Sequence, residues 1–263
     1  MKLPIFQIDA FANEIFQGNP AAVVPLQEWL PDDTMQAIAM ENNLSETAFF
    51  VPTRAGFEIR WFTPIMEVDL CGHATLATAH AIFEEGSYPK THITLGSRSG
   101  QLTVRKKDQL LELDFPIDEI HPIEHPESLI QGIGAKPKAC FMGKTDYLFI
   151  YDKQEQIEQL APDFGLLAQT KSRGIIATAP GKNVDFVSRF FAPGAGIDED
   201  PVTGSAHTTL VPFWAKQLGK EKLSAQQLSA RGGQLQCTLL GKRVLIAGKA
   251  KTFLRGEIFL DEK

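Results

Sequence analysis

The chain repeats itself, and that repeat limits its fold more than any other feature. Phe57-Glu58-Ile59-Arg60-Trp61-Phe62-Thr63-Pro64 reads against Phe186-Val187-Ser188-Arg189-Phe190-Phe191-Ala192-Pro193. Phe, Arg, Phe and Pro recur in register, and an aromatic follows each arginine. The offset is 129 residues, close to half of the 263. A spacing that long is no solenoid unit, so it predicts two similar domains. A polar glycine turn follows each copy: Asp69-Leu70-Cys71-Gly72-His73-Ala74-Thr75, then Asp200-Pro201-Val202-Thr203-Gly204-Ser205-Ala206-His207. One turn per domain makes a site between the two turns the natural expectation.

Composition narrows the class. With 43% hydrophobic and 22% charged residues, each half can bury a core of its own. A net charge of −6 and no basic stripe argue against nucleic acid or an anionic membrane as the main partner. Asp9 interrupts the opening apolar stretch, and no 18-residue apolar run occurs, which argues against export and membrane spanning. Cys71, Cys140 and Cys237 are odd in number and lack metal-ligand spacing, as suits a reducing cytoplasm.

Period-2 runs dominate the pattern. Strands are expected over 6–11, 21–24, 47–51 and 57–62, with a hairpin joining 100–105 to 110–115. Asp32 or Asp33 is expected to cap a helix running to Met40, with Met35, Ile38 and Ala39 on its buried face. Residues 74–83 are small or apolar all round, which suits a helix enclosed by strands, and Gly86 ends it. Its counterpart is 206–218, stopped by Gly219, with Pro212 inside expected to kink it or shift its first turn. The halves divide near 116–125, giving repeats over 1–120 and 121–263. The second half repeats the order of the first, with a helix near 157–168, and the strands after Gln234 are expected to complete it.

Glu46 stands where a helix ends and an apolar strand begins. Aligning the prolines that close the two strands, Pro52 and Pro180, puts Gly174 at its place in the second repeat. The acid therefore belongs to one copy only, as a solvated strand-edge group or as an acid/base. If it is a base in an enclosed site, burial should raise its pKa, with His73 opposing the shift. Cys71-Gly72-His73-Ala74 and Thr203-Gly204-Ser205-Ala206 each open a helix of small residues. Helix starts present N–H groups and a positive dipole end, so a facing pair would hold a carboxylate or a developing enolate. His73 is either a satisfied core imidazole or a proton relay, and Ser205 either a plain N-cap or a ligand donor. One acid of Asp198-Glu199-Asp200, a run ending five residues before Ser205, is expected to be placed by Pro201, with the other two solvated. Cys71 is a candidate thiol base or nucleophile, but Thr203 at the equivalent position excludes a symmetric two-cysteine mechanism. Gly194-Ala195-Gly196 leads into acids rather than a helix and is no dinucleotide fingerprint. His121 and His125 are separated by a helix-breaking proline and are rejected as a metal pair.

These motifs resemble one family. Gln7-Ile8-Asp9-Ala10-Phe11 with Gly18-Asn19-Pro20-Ala21-Ala22-Val23-Val24, Leu44-Ser45-Glu46-Thr47-Ala48-Phe49, Cys71-Gly72-His73-Ala74-Thr75-Leu76-Ala77 and Asp200-Pro201-Val202-Thr203-Gly204-Ser205-Ala206-His207 are similar to the blocks of the phenazine-biosynthesis PhzF-like isomerases, in the family's order. Those isomerases belong to the diaminopimelate epimerase-like superfamily. The resemblance implies an α+β fold of two pseudo-symmetric domains, each a barrel-like, mostly antiparallel sheet around a central helix, with the site in the interdomain cleft. It implies proton transfer at carbon without cofactor or metal, on a small carboxylate-bearing substrate. Glu46 would be the acid/base, with His73, Asp200 and Ser205 as its partners. Asn19, Ser45, Gly72, Ala74, Gly204 and Ala206 would bind substrate. Partners would be that small molecule, with no nucleic acid or membrane, and a homodimer is allowed. One departure is local: Arg231-Gly232-Gly233-Gln234 keeps the glycines of the last strands but lacks the family's usual Arg-Pro, which puts the substrate pocket in question. The alternatives to an isomerase are an amino-acid racemase or epimerase, which needs a base on each face, and a non-catalytic small-anion binder of the same fold.

Overall fold

A computed structural model describes residues 1–86, 88–169 and 172–261. The chain divides into two compact units, Met1–Asp114 with Ala247–Lys263, and Phe115–Ile246. In chain order the first unit runs β1 (Lys2–Ala10), β2 (Asn19–Pro25), α1 (Asp32–Asn42), β3 (Thr47–Pro52), β4 (Phe57–Phe62), β5 (Glu67–Val68), α2 (Gly72–His80), β6 (His92–Ser97) and β7 (Gly100–Lys107). β8 (Leu110–Pro116) then leads into the second unit. That unit continues with β9 (His121–Ile123), α3 (Glu127–Ile133), β10 (Ala139–Met142), β11 (Asp146–Ile150), α4 (Gln154–Glu158), α5 (Phe164–Leu167), β12 (Gly174–Pro180) and β13 (Phe186–Phe191). It closes with α6 (Ala206–Leu218), β14 (Lys222–Gln227), β15 (Gly233–Leu240) and β16 (Arg243–Gly248), and β17 (Ala250–Phe259) belongs to the first unit again.

The sheets bear out the duplication strand by strand. In the first unit β1 and β2 pair antiparallel, β2 and β3 parallel, β3 and β4 antiparallel, β4 and β6 parallel, and β6 and β7 antiparallel. In the second, β10–β11, β11–β12, β12–β13, β13–β14 and β14–β15 alternate in the same way. The fold is α+β, dominated by mostly antiparallel sheet with few helices, as expected.

The sequence expectations fail in three places. The last strand does not complete the second half: β17 pairs antiparallel with β1 over its whole length, from Lys2–Phe259 to Ala10–Ala250. Strand order across a sheet is a non-local choice that no period in the sequence encodes. In the second unit the equivalent flank of β10 is taken by β9, which is local in sequence. The helix expected over 157–168 is two short ones, because Pro162 cannot continue the first, and Asp163 Oδ1 caps the second by accepting from Leu166 N–H at 3.0 Å. Pro31 rather than Asp32 or Asp33 occupies the N-cap of α1. Both aspartates instead lie in the first turn, where the helix dipole favours them.

α2 packs against β1, β2, β3 and β17 and is buried from His73 to Ala79. Ala74, Ala77 and Ala79 let strands approach on every side, and the buried hydroxyls remain satisfied inside the helix. Thr75 Oγ1 donates to the Cys71 carbonyl at 2.5 Å, and Thr78 Oγ1 to that of Ala74 at 2.8 Å. Leu76 is fully buried, so Leu76→Ala would cost about 2–5 kcal/mol. A π-type turn over Ala81–Glu85 carries the helix to Gly86. On the other side of the first sheet, Met35, Ile38 and Ala39 of α1 pack with Val24, Phe49, Val51 and Phe62.

α6 packs on β14 and β15 and ends at Gly219, whose positive φ of 65° suits glycine. It runs unbroken through Pro212. A proline has no N–H for the Thr208 carbonyl four residues back, and the Asp118 N–H takes that carbonyl instead, at 3.1 Å. Among the described residues no helix is long and apolar enough to cross a membrane.

Candidate active site

In the first unit, three pieces of chain bring Asn19, Glu46, Cys71 and His73 together. α1 ends at Asn43, in the left-handed region at φ 48°, and turns the chain into β3. The Glu46 carbonyl accepts from Ala22 N–H at 3.2 Å, and Asn42 Nδ2 donates to Thr47 Oγ1 at 3.0 Å. These bonds pin the backbone on either side of the acid. The start of α2 supplies Cys71 and His73, and β2 supplies Asn19, which is fully buried.

His73 Nε2 lies 3.2 Å from Glu46 Oε2, with side-chain exposures of 6% and 12%. The approach is off the line of the N–H, so this close pair lacks an aligned hydrogen bond and both atoms are open to another partner. On the far side of the ring, Nδ1 is 3.2 Å from Asn19 Nδ2 and 3.5 Å from Cys71 Sγ. With the Asn19 amide donating, Nδ1 accepts, and Nε2 carries the hydrogen that faces Glu46. The rise in the His73 pKa favours the charged ring, in which Nδ1 also carries a hydrogen and the Asn19 amide, turned over, accepts it through its oxygen.

The charges of this cluster run against the expected rise for Glu46. Burial does push its carboxyl up, but the His73 charge and the polar contacts of His73 and Cys71 together outweigh it and hold it below its ordinary value. Burial alone would push His73 down, and a Cys71 thiolate would push it up. Burial, however, raises the thiol itself to about 11, so at neutral pH it is uncharged. The Glu46 carboxylate is then the group that holds His73 above its ordinary value. Glu46 is thus an ionised carboxylate beside a proton-bearing imidazole, in a site nearly closed to water.

Glu46, Cys71 and His73 also place one ligand atom each within 4.8 Å of one another, the one such group among the described residues. A carboxylate, a thiol and an imidazole are donors for a cation such as zinc, though a thiol that keeps its proton at neutral pH resists ligation. Gly72 and Ala74 lie in the first turn of α2, before its first helical bond, Thr75 N–H to the Cys71 carbonyl at 3.1 Å. Ser45 is partly buried, one residue before Glu46.

Asp200 and Ser205 belong to the second unit, where Asp200 is 8% exposed. Its Oδ2 accepts from Thr203 Oγ1 at 2.5 Å, and Gln227 ties the turn from behind. Gln227 Nε2 donates to the Asp200 carbonyl at 2.7 Å while its Oε1 accepts from Thr203 N–H at 2.9 Å. Gly204 and Ala206 are buried beside Ser205. Ser205 stands at the N-cap of α6 without capping it. Its Oγ accepts instead from Arg173 Nη1 at 3.0 Å, and Arg173 is held by the buried Asp146. Arg173, Asp146 and Gln227 escaped the sequence reading. The proline alignment that pairs Glu46 with Gly174 also pairs Ser45 with Arg173, and that was the signal for the arginine.

Residues 8–256 match the model of a family described as phenazine biosynthesis-like protein. A Pseudomonas aeruginosa protein described as an uncharacterized isomerase is 49% identical over 260 residues, covering 99% of this chain and all of the relative. A mouse phenazine biosynthesis-like domain-containing protein is 39% identical over 289 residues, with 98% and 99% covered. Among solved structures, an Enterococcus faecalis protein of the PhzF family is 47% identical with a TM-score of 0.94, covering 99% of this chain and all of that one. A probable proline racemase from Agrobacterium radiobacter, 12% identical with a TM-score of 0.65 over 98% of this chain and 93% of its own, shares the fold alone. With the family model spanning nearly the whole sequence and relatives matched end to end, this chain belongs to the PhzF-like, phenazine biosynthesis-like family.

Proposed function

We propose that this chain is an isomerase that moves a proton between carbons of a small carboxylate-bearing substrate, with Glu46 as the general acid/base. One observation carries the reading: the nearly enclosed Glu46 carboxyl lies 3.2 Å from the His73 imidazole, and among the described residues neither Oε2 nor Nε2 has an aligned hydrogen-bond partner. A base must be ionised before it can accept a proton, and the His73 charge keeps Glu46 so. On taking the proton from carbon, Glu46 becomes neutral and the attraction of His73 for it falls. Burial, which then favours the neutral acid, holds the proton until it returns to another carbon on the same face. The N–H groups that open α2 and α6 supply donors for the substrate carboxylate and for charge developing on oxygen. Asp200 and Ser205 serve the same substrate on this reading. That one ligand meets both turns in an interdomain cleft is part of the proposal and rests on the motifs.

Relatives named isomerases support the class of reaction. A two-base racemase is less well served. Cys71 keeps its proton at neutral pH, and Thr203 at the equivalent place is a hydroxyl donating to Asp200. The test is a panel of small cyclic and acyclic amino and hydroxy acids incubated with the protein in deuterated water. Incorporation of deuterium at carbon that disappears in Glu46→Gln supports the reading. Exchange that survives in Glu46→Gln but vanishes in Cys71→Ser would replace it with the thiol-based alternative.

A further inference from the structure

Arg173 is a charged residue of the second unit that the motifs leave unexplained. It stands one residue before β12, its own N–H donating to the Thr145 carbonyl at 2.9 Å. Its Nε donates to Asp146 Oδ1 at 2.9 Å and its Nη2 to Asp146 Oδ2, so two prongs of the guanidinium grip one carboxylate. The guanidinium carbon lies 5.3 Å from the centre of the Phe190 ring. The Asp146 side chain is 3% exposed and that of Arg173 40%. The inner edge of the guanidinium is therefore fixed, and the outer edge reaches solvent.

The outer edge touches Ser205. Nη1 donates to Ser205 Oγ at 3.0 Å, and a guanidinium can only donate. Oγ is therefore the acceptor in this contact, and its single hydrogen has to point elsewhere. Among the described residues it meets no acceptor, and it does not cap α6. We propose that Arg173, held in place by Asp146, is a positioning residue for Ser205: it occupies a lone pair of the hydroxyl and commits the hydroxyl hydrogen to a carboxylate oxygen of the substrate. A hydroxyl that accepts from a cation is also a stronger donor, because the two bonds polarise it in the same sense. Asp118 and Asp200 lie close enough to act on the guanidinium along with Asp146. A salt bridge with only a structural role would need the Asp146 contacts and nothing from Nη1.

The proposal rests on the isomerase reading only in that the substrate bears a carboxylate. Sodium malonate, a small dicarboxylate, serves as the probe, titrated into the full chain and followed by the amide NMR shifts of Gly204, Ser205 and Ala206. Ser205→Ala and Arg173→Met should each weaken malonate roughly tenfold, the scale of one hydrogen bond to a charged group. The double variant should bind within about twofold of Ser205→Ala, because the arginine acts through the hydroxyl. Arg173→Lys should recover part of the loss. If Arg173→Met unfolds because Asp146 is left buried and unpaired, the variant Asp146→Asn/Arg173→Met removes that charge and takes its place in the cycle. Losses that add in the double variant, or an unchanged affinity in Arg173→Met, overturn the proposal alone. Absence of any malonate shift in the unaltered protein overturns the carboxylate reading of this turn, and the proposal with it.

Discussion

Just before β3 the chain carries Glu46, and at the equivalent place, the start of β12, it carries Gly174. The strand registers fix the equivalence. Thr47 faces Phe62 as Ile175 faces Phe191, and Pro52 faces Phe57 as Pro180 faces Phe186. A Cβ on Gly174 would lie 2.5 Å from the Phe190 ring and 2.7 Å from the Phe191 carbonyl oxygen, so the second unit has no room there for a side chain. The same division runs along the turns. Cys71 and His73 join Glu46 in an ionisable cluster, whereas Thr203 and Ser205 hold a network of hydroxyls, an amide and an arginine. Sheet pairing depends on backbone groups and buried apolar faces, so it survives such replacements. Duplicated backbone with divergent polar residues leaves the ionisable cluster to one copy.

Other positions stayed alike for structural reasons. Arg60 grips Glu67 with two prongs at 2.7 Å, and its guanidinium carbon lies 5.2 Å from the centre of the Phe62 ring. Arg189 grips Glu199 at 2.7 and 2.8 Å and lies 4.9 Å from that of Phe191. The repeated Phe-Arg-Phe pattern is thus an arginine clamp that ties β4 to β5, and β13 to the loop before the second glycine turn. The clamps differ in reserve. Arg98 also reaches Glu67 at 2.7 Å, while Arg189 is the partner of Glu199 among the described residues.

The comparison can be broken at several points, beginning with the largest expected effect. Glu46→Gln should lower deuterium exchange at the substrate carbon by about 10²–10⁴-fold with the fold intact, because the swap is nearly isosteric and removes one basic oxygen. Cys71→Ser should keep most of that exchange, and a dead Cys71→Ser would move the proton chemistry to the thiol. Next come the clamps, read by urea unfolding. Arg189→Met should cost about 3 kcal/mol, since it orphans a largely buried carboxylate, and Arg60→Met about 1–2 kcal/mol, since Arg98 remains on Glu67. Equal losses would show that the second cation adds nothing.

Acid should separate the two central helices by a similar amount. His207 Nδ1 donates to the Thr203 carbonyl four residues back at 2.9 Å, just as Thr75 donates to that of Cys71, but only the histidine titrates. Burial pushes His207 down from 6.5 to about 4. Between those values the unfolded chain binds the proton and the folded chain does not. Stability should therefore fall as pH drops from 6.5 toward 4, by about 3 kcal/mol, and level off below. Urea midpoints at pH 7, 5.5 and 4.5 would show it, and His207→Gln, which keeps a donor without titrating, should flatten the slope. The smallest effect is steric: Gly174→Ala should cost about 1–3 kcal/mol, as overpacking against Phe190 does elsewhere. A thermally unchanged Gly174→Ala would mean that the second unit can accept a side chain where Glu46 stands in the first.

Much of the candidate site was legible because its residues are local to the repeat. Glu46 was readable from its absence in the other copy, and His73 and Ser205 from their place after a glycine at a helix start. The direction of the Glu46 pKa was not readable, since it depends on 3.2 Å to an imidazole 27 residues away in sequence. Arg173 sits in Ser172-Arg173-Gly174, where the proline alignment sets it opposite Ser45 but no motif marks it, and its reach to Asp146 and Ser205 shows what it does.

The sequence by itself determined that there are two copies of one strand-and-helix order, that each copy opens a buried helix with a glycine turn, and that the acid belongs to the first. Those are matters of period, spacing and residue size, and they act over a few residues at a time. The tertiary structure decided that β17 returns to β1, that the Thr208 carbonyl is answered by Asp118, and which charges meet at Glu46 and at Ser205. Each of these joins groups far apart in the chain, and their energies depend on distance and burial that exist only once the chain has closed on itself.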